Sequence, residues 1–187
     1  KDLPKKTEQV ISVELSEQEI AFYENLREKA INNINTLDAK DTENTKDGKP
    51  GKASGQRRIH ILTEITRLRQ ACCHPGIIEP MAGLPSSKLN MLKDMVTELL
   101  ENDHKVLIFS QFVSYLQHVK SALDNLDIDY HYLDGSTSQA NRKGAVEAFQ
   151  KGEKSVFLLS LKAGGVGLNL TSADYVIILD PWWNPAV

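Results

Sequence analysis

Hydrophobic residues recur along this chain with two different rhythms, and the change falls near Ser87. Before it, residues 7–15 alternate loosely, which predicts a strand at Val10-Ile-Ser-Val13. Ser16 and Glu19 stand at capping-box spacing ahead of a helix with Ile20, Tyr23, Leu26, Ala30 and Ile34 on one face. From Leu37 to Gly55 nearly every residue is polar, Gly or Pro, including Gly48-Lys-Pro-Gly51. That composition predicts a solvated linker or disordered insertion, open to proteases. A second helix follows, with Ile61, Leu62, Ile65, Leu68 and Cys72 on one stripe, and Pro75 ends it.

From Ser87 onward helix and strand patterns alternate. Leu89, Leu92, Met95, Val96 and Leu99 form a helical stripe, and Val106–Phe109 is an apolar run of strand length. Phe112, Leu116, Val119, Leu123 and Leu126 repeat at steps of four and three, the mark of an amphipathic helix. Ile128, Tyr130 and Tyr132 alternate with Asp129 and His131, which predicts a more exposed strand. A helix holding Val146 and Phe149 leads to a third apolar run at Val156–Leu159, and Tyr175–Leu179 is a fourth. Continuous apolar strands separated by amphipathic helices predict a parallel sheet covered on both faces. With right-handed crossovers this is a doubly wound, mostly parallel α/β domain.

The 187 residues suit one ordinary domain plus an appendage, and 41% hydrophobic residues are enough for a core. Charged residues at 25% match a globular average, so wholesale disorder is not expected. A net charge of −3 offers no general surface for polyanions. The basic residues are uneven, however, with Lys40, Lys46, Lys49, Lys52, Arg57, Arg58, Arg67 and Arg69 between positions 38 and 69. Cys72 and Cys73 are adjacent, cannot staple distant segments, and point to a reducing compartment. With His74 they make a poor metal site, lacking a second cluster, and packing at a helix end is the better reading. No apolar run of about 20 residues and no signal-peptide pattern is present, so a soluble protein of a bacterial cytoplasm or a eukaryotic nucleus is expected.

In doubly wound sheets ligands meet the carboxyl ends of the strands. Small polar residues gather at all four predicted ends: Ser110-Gln111, Asp134-Gly-Ser-Thr137, Ser160 with the glycines that follow it, and Asp180. Each has a plain structural explanation, Gly135 as a turn residue and Ser136 or Thr137 as a helix cap. Four on one edge favour a ligand, and Gly164-Gly-Val-Gly167 after a strand leaves backbone N–H groups open to phosphate. Lys162 adds a cation within the third group.

The sequences Phe109-Ser-Gln-Phe112, Leu133-Asp-Gly-Ser-Thr137, Gly164-Gly-Val-Gly-Leu-Asn-Leu170 and Asp180-Pro-Trp-Trp-Asn-Pro185, in that order, resemble the motifs of the second RecA-like lobe of Swi/Snf-type helicase-related ATPases. The match is dense from about Ser87 to Val187. Leu3-Pro-Lys-Lys6 and Leu68-Arg-Gln-Ala-Cys-Cys-His-Pro75 resemble the family's junction between lobes. The resemblance implies residues 1–36 as a junction strand and helix, 37–55 as linker, 56–86 as helix and loop, and 87–187 as the lobe. It also implies that Ser110, Gln111, Gly135, Ser136, Ser160, Lys162, Gly164, Gly165 and Trp183 track a DNA duplex. Gly167 and Asn169 would lie nearer ATP at the lobe interface, while Trp182 is read as buried.

The sequence carries no Gly-x-x-x-x-Gly-Lys-[Ser/Thr] and no Asp-Glu pair after a strand to hold Mg²⁺. The family's arginine-bearing motif would follow Val187. Phosphoryl transfer needs all three together, so no catalytic residue is expected here and the chain alone is expected to hydrolyse no ATP. ATP and Mg²⁺ would belong to a complete enzyme containing the first RecA-like lobe. Two other classes share the fold: a non-catalytic α/β module binding a phosphorylated small molecule, and the second lobe of an RNA helicase.

Overall fold

The computed structural model describes residues 6–44, 52–164 and 167–180. The chain opens on two long helices, α1 (Glu17–Asn44) and α2 (Lys52–Cys73), packed against each other as a hairpin. Asn33 Nδ2 donates to Glu64 Oε1 across it at 3.2 Å. Two 3₁₀ turns, Pro75–Ile77 and Pro80–Ala82, then lead into alternating α3 (Ser87–Glu101), β1 (Val106–Ser110), α4 (Val113–Asp124), β2 (Tyr130–Leu133), α5 (Gln139–Lys151), β3 (Val156–Ser160), the single turn α6 (Leu161–Gly164) and β4 (Tyr175–Ile178).

All four strands are parallel, in the order β2-β3-β1-β4. Strand pleating sends alternate residues to opposite faces. Val106 and Ile108 of β1 and Val156 and Leu158 of β3 face α3 and α4, meeting Val96, Tyr115, Leu116 and Val119. Leu107, Phe157 and Leu159 face the other way, onto Phe149 of α5. The expected doubly wound sheet is therefore present, with β1 and β3 dry on both sides. β2 is the half-buried edge, as its alternating tyrosines predicted, and Lys120 sits over the Tyr132 ring at 4.8 Å.

Two expectations change. Val10–Val13 is not a strand: the run is exposed and pairs with nothing among the described residues. A short alternating pattern needs a neighbouring strand edge to satisfy its backbone, and β4 and β2 end the sheet elsewhere. The stretch read as linker is also partly helical. α1 runs on to Asn44 and α2 starts at Lys52, leaving 45–51 outside the described residues. No Gly or Pro occurs between Leu37 and Asn44, so nothing in the sequence breaks the helix over that span, and a mostly polar stretch leaves no apolar rhythm to read.

Cys73 closes α2 and is buried in the core beside Leu92 and Val96, where burial raises its thiol to about 12. It is a packing residue at a helix end. Among the described residues, no group of three or more His, Cys, Asp or Glu could hold a metal, and no helix is long and apolar enough to cross a membrane.

Candidate functional site

The parallel register places the four strand ends on one edge. Ser110 of β1 pairs with Ser160 of β3, Phe109 with Ile178 of β4, and Leu133 of β2 with Leu159. The polar clusters that follow each strand therefore stand side by side, as the sequence suggested. Their side chains divide into those that build the edge and those that it presents.

Ser110 and Ser160 build it. Ser110 is fully buried, and its hydroxyl donates to Asp180 Oδ1 at 2.5 Å while accepting from Phe112 N–H at 3.0 Å. Asp180, itself 4% exposed, also accepts from Gln111 N–H at 2.8 Å through Oδ2. One carboxylate thus ties the end of β1 to the end of β4 across 70 residues. Ser160 Oγ accepts from Ala163 N–H at 3.2 Å and caps α6. Gln111 accepts from Arg69 of α2 at 3.2 Å, and the guanidinium lies 5.5 Å over the Phe112 ring. Beside this network a cleft of about 390 Å³ opens between α1, α2 and the edge, lined by Tyr23, Arg69, Cys72, Lys88 and Asp180 among others.

Gly135, Ser136 and Lys162 are presented, all three exposed. Asp134 holds their turn: Ser136 donates to Oδ1 from both N–H (2.8 Å) and hydroxyl (2.6 Å), and Tyr132 donates to Oδ2 at 2.8 Å. These bonds, Ser136 first, lower the Asp134 carboxyl to about 2. The helix cap proposed for Ser136 or Thr137 belongs instead to Ser138, whose Oγ accepts from Asn141 N–H at 3.3 Å. Ser136 lies two residues too early and Thr137 one, and both are held by the Asp134 turn, Thr137 Oγ1 accepting the Asp134 N–H at 3.1 Å.

The glycines differ in what holds them. A Cβ on Gly164 would stand 2.5 Å from Phe109 Cε1, so close packing on β1 demands glycine there. Gly167 has φ +49. Gly135 has neither constraint: its φ is not positive and a Cβ would meet nothing within 4 Å. We therefore expect Gly164→Ala to destabilise the protein by about 1–3 kcal/mol through overpacking. Gly135→Ala should change stability by less than about 0.5 kcal/mol. Thermal melting of both variants checks this, and equal melting temperatures would contradict it.

Gly167 and Asn169 lie on the loop after α6, pinned to α5 by Gln150, whose Nε2 donates to Asn169 O at 2.7 Å. Gly165 and Trp183, with Trp182, fall outside the described residues. The sequence reading missed Arg142, which donates to Ala163 O at 3.0 Å and holds the end of α6 from α5. Its only sequence signal is a cation in the first turn of a helix, where a cation is electrostatically disfavoured.

Comparison with known proteins adds to this geometry. The "Helicase conserved C-terminal domain" model matches residues 87–187, and the "SNF2-related domain" model matches residues 1–77. The chain belongs to the helicase C-terminal family, of the SWI2/SNF2 type. A Bacillus subtilis protein named as a putative ATP-dependent helicase/translocase is 34% identical over the whole chain, which covers 19% of it. The solved C-terminal domain of a Sulfolobus solfataricus SWI2/SNF2 ATPase superposes with a TM-score of 0.75 at 30% identity, covering 94% of this chain and 72% of that one. The core of that ATPase in complex with double-stranded DNA gives 0.72 at 27% identity, covering 92% and 34%. The chain spans under a fifth of the length of the curated relatives it matches first.

Proposed function

We propose that this SWI2/SNF2-type chain is the C-terminal RecA-like lobe of an ATP-dependent double-stranded DNA translocase, a chromatin-remodeller-like or protein–DNA remodelling motor. The observation that carries the proposal is the likeness to an ATPase core solved on duplex DNA, at 27% identity over 92% of the chain. The edge supports it. Gly135 is glycine where neither backbone nor packing requires one, which suits close approach of a phosphate backbone, and exposed Ser136 and Lys162 flank the same edge. Such contacts position a duplex without reading its sequence.

In this reading Ser136, Lys162 and the N–H groups of Gly135, Gly164 and Gly165 meet DNA directly, together with Trp183. Ser110, Gln111 and Ser160 shape the edge from beneath, since the two serine hydroxyls are buried and already bonded. Gly167 and Asn169 face the nucleotide side. Among the described residues no cluster of donors fits Mg²⁺, so in this reading the ATP phosphates and the metal are assigned to the first lobe, the partner within the complete protein. The cell compartment that suits such a motor is a bacterial cytoplasm or a eukaryotic nucleus.

The test is ATP hydrolysis by the full-length protein with duplex DNA, single-stranded DNA or RNA added. Stimulation by the duplex is expected. Stimulation by RNA alone would assign the chain to an RNA helicase, and no response to any polymer would favour a small-molecule module. Within the same protein, Lys162→Ala should weaken duplex binding alike for all sequences and lower the salt slope by about one. A loss confined to particular sequences would show that Lys162 reads bases.

A further inference from the structure

Two adjacent serines at the start of α3 hold both legs of the α1–α2 hairpin. Ser86, the N-cap of α3, donates its hydroxyl to Cys73 O at the end of α2, at 3.1 Å. Ser87 donates its N–H to Glu19 Oε1 at 2.9 Å and its hydroxyl to Oε2, at the start of α1. The same carboxylate accepts the Ser16 N–H at 2.9 Å and the Ser16 hydroxyl at 2.7 Å. Glu19 is 4% exposed and takes four hydrogen bonds, two from its own cap and two from α3.

This arrangement is more than one helix start needs. A capping box requires only the Ser16–Glu19 exchange, and an exposed glutamate provides it. Burying a carboxylate is costly unless donors surround it, so the site is built to keep the charge there. The bond also joins the two matched segments: Glu19 lies in the part resembling the SNF2-related domain, and Ser87 is the first residue of the helicase C-terminal match.

We propose that Glu19 is a positioning residue that locks the α1–α2 hairpin to the second lobe, so that ATP-driven closure of the lobes is delivered to the DNA edge. This rests on the translocase reading. At 1.5 Å per residue α1 is roughly 42 Å long, so a loose base would let the hairpin swing far from the lobe. In the translocase reading the chain arriving at α1 is also the connection from the first lobe. With its base fixed, a displacement entering there moves the lobe as a body. With it loose, part of each stroke is absorbed at the joint.

The test uses the full-length protein with Glu19→Ala and Glu19→Gln. Amide hydrogen exchange should accelerate at least tenfold in the first turns of α1 and α3 in Glu19→Ala, while β1 and β3 keep the parental rates. Base pairs travelled per ATP should fall at least threefold, with the DNA-stimulated kcat within twofold of the parent. Gln keeps a carbonyl for the Ser87 N–H but turns its amide N–H₂ toward the Ser16 N–H, so it should bring both readouts part-way back from Ala to the parent. Parental exchange, acceleration spread equally over the strands, or lost protection with unchanged coupling would each overturn the proposal. A parent that never moves on DNA would sink the translocase reading and the coupling role with it, whereas the exchange rates decide separately whether the lock exists.

Discussion

Asp180→Ala is expected to lower the stability of the protein by about 2–4 kcal/mol, the largest effect of any single change at the candidate site. The aspartate is 4% exposed and receives the Ser110 hydroxyl and the Gln111 N–H. Hydrogen bonds to a charged acceptor contribute about 1.5–3 kcal/mol each, and removing the acceptor strands the half-buried Gln111 N–H and leaves the buried Ser110 hydroxyl only the Phe112 carbonyl at 3.3 Å. For a chain of this size that corresponds to a fall in melting temperature of roughly 6–12 °C. Ser110→Ala should cost only about 1–1.5 kcal/mol, because the carboxylate keeps its Gln111 bond. The order is diagnostic. If Ser110→Ala is as damaging as Asp180→Ala, the carboxylate is not what ties β1 to β4. Duplex affinity should fall with Asp180→Ala even at temperatures where the variant stays folded, since the Gln111 turn loses its anchor.

The second large effect is a loss of stability in mild acid. His74 caps the first 3₁₀ turn by accepting the Gly76 N–H at Nδ1 (3.0 Å), and its ring stacks on His118 with centroids 3.9 Å apart. Burial first, and then the neighbouring His118, lower the His74 imidazole to about 4, while Glu19 pulls it the other way. Burial also lowers His118 and His131. A histidine whose pKa is depressed on folding is neutral in the folded state while the unfolded chain takes up a proton. Stability is therefore complete above about pH 6.5 and declines as pH falls towards 4. Glu19 continues the decline at lower pH: burial raises its carboxyl, the bonds from Ser87 and Ser16 outweigh that, and the net shift is downward. The His74 ring is partly open to water, which limits its share to about 1–2 kcal/mol. His74→Asn retains an acceptor for the Gly76 N–H and removes the titration. Denaturant unfolding at pH 7.5 and 4.5 should show a smaller pH-dependent loss in that variant than in the parent. An identical loss would place the acid sensitivity elsewhere.

The two central strands were legible in the sequence because they are buried on both faces, and Val106–Phe109 and Val156–Leu159 have no other use for four consecutive apolar residues, whereas the edge strands β2 and β4 are half-buried and largely exposed. The Ser16–Glu19 cap was legible because both partners lie within one turn. The second use of Glu19 was not, since Ser87 lies 68 residues away and nothing local marks it as a partner. The tie from Asp180 to Ser110 is hidden for the same reason, so the buried serines read as surface contacts. The polar ends of α1 and α2 escaped because apolar periodicity detects a helix only where a face is buried. Glycine is ambiguous in a sequence. Gly164 and Gly135 look alike there, and only the ring of Phe109 beside one and the open space beside the other tell them apart.

Movement along duplex DNA is read out by displacement of a third strand from a DNA triplex by the full-length protein. ATP-dependent release of the third strand is expected while the underlying duplex stays paired, and Lys162→Ala should reduce it. Full duplex-stimulated ATP hydrolysis with no displacement, or displacement that requires separating the duplex strands, would contradict the translocase reading.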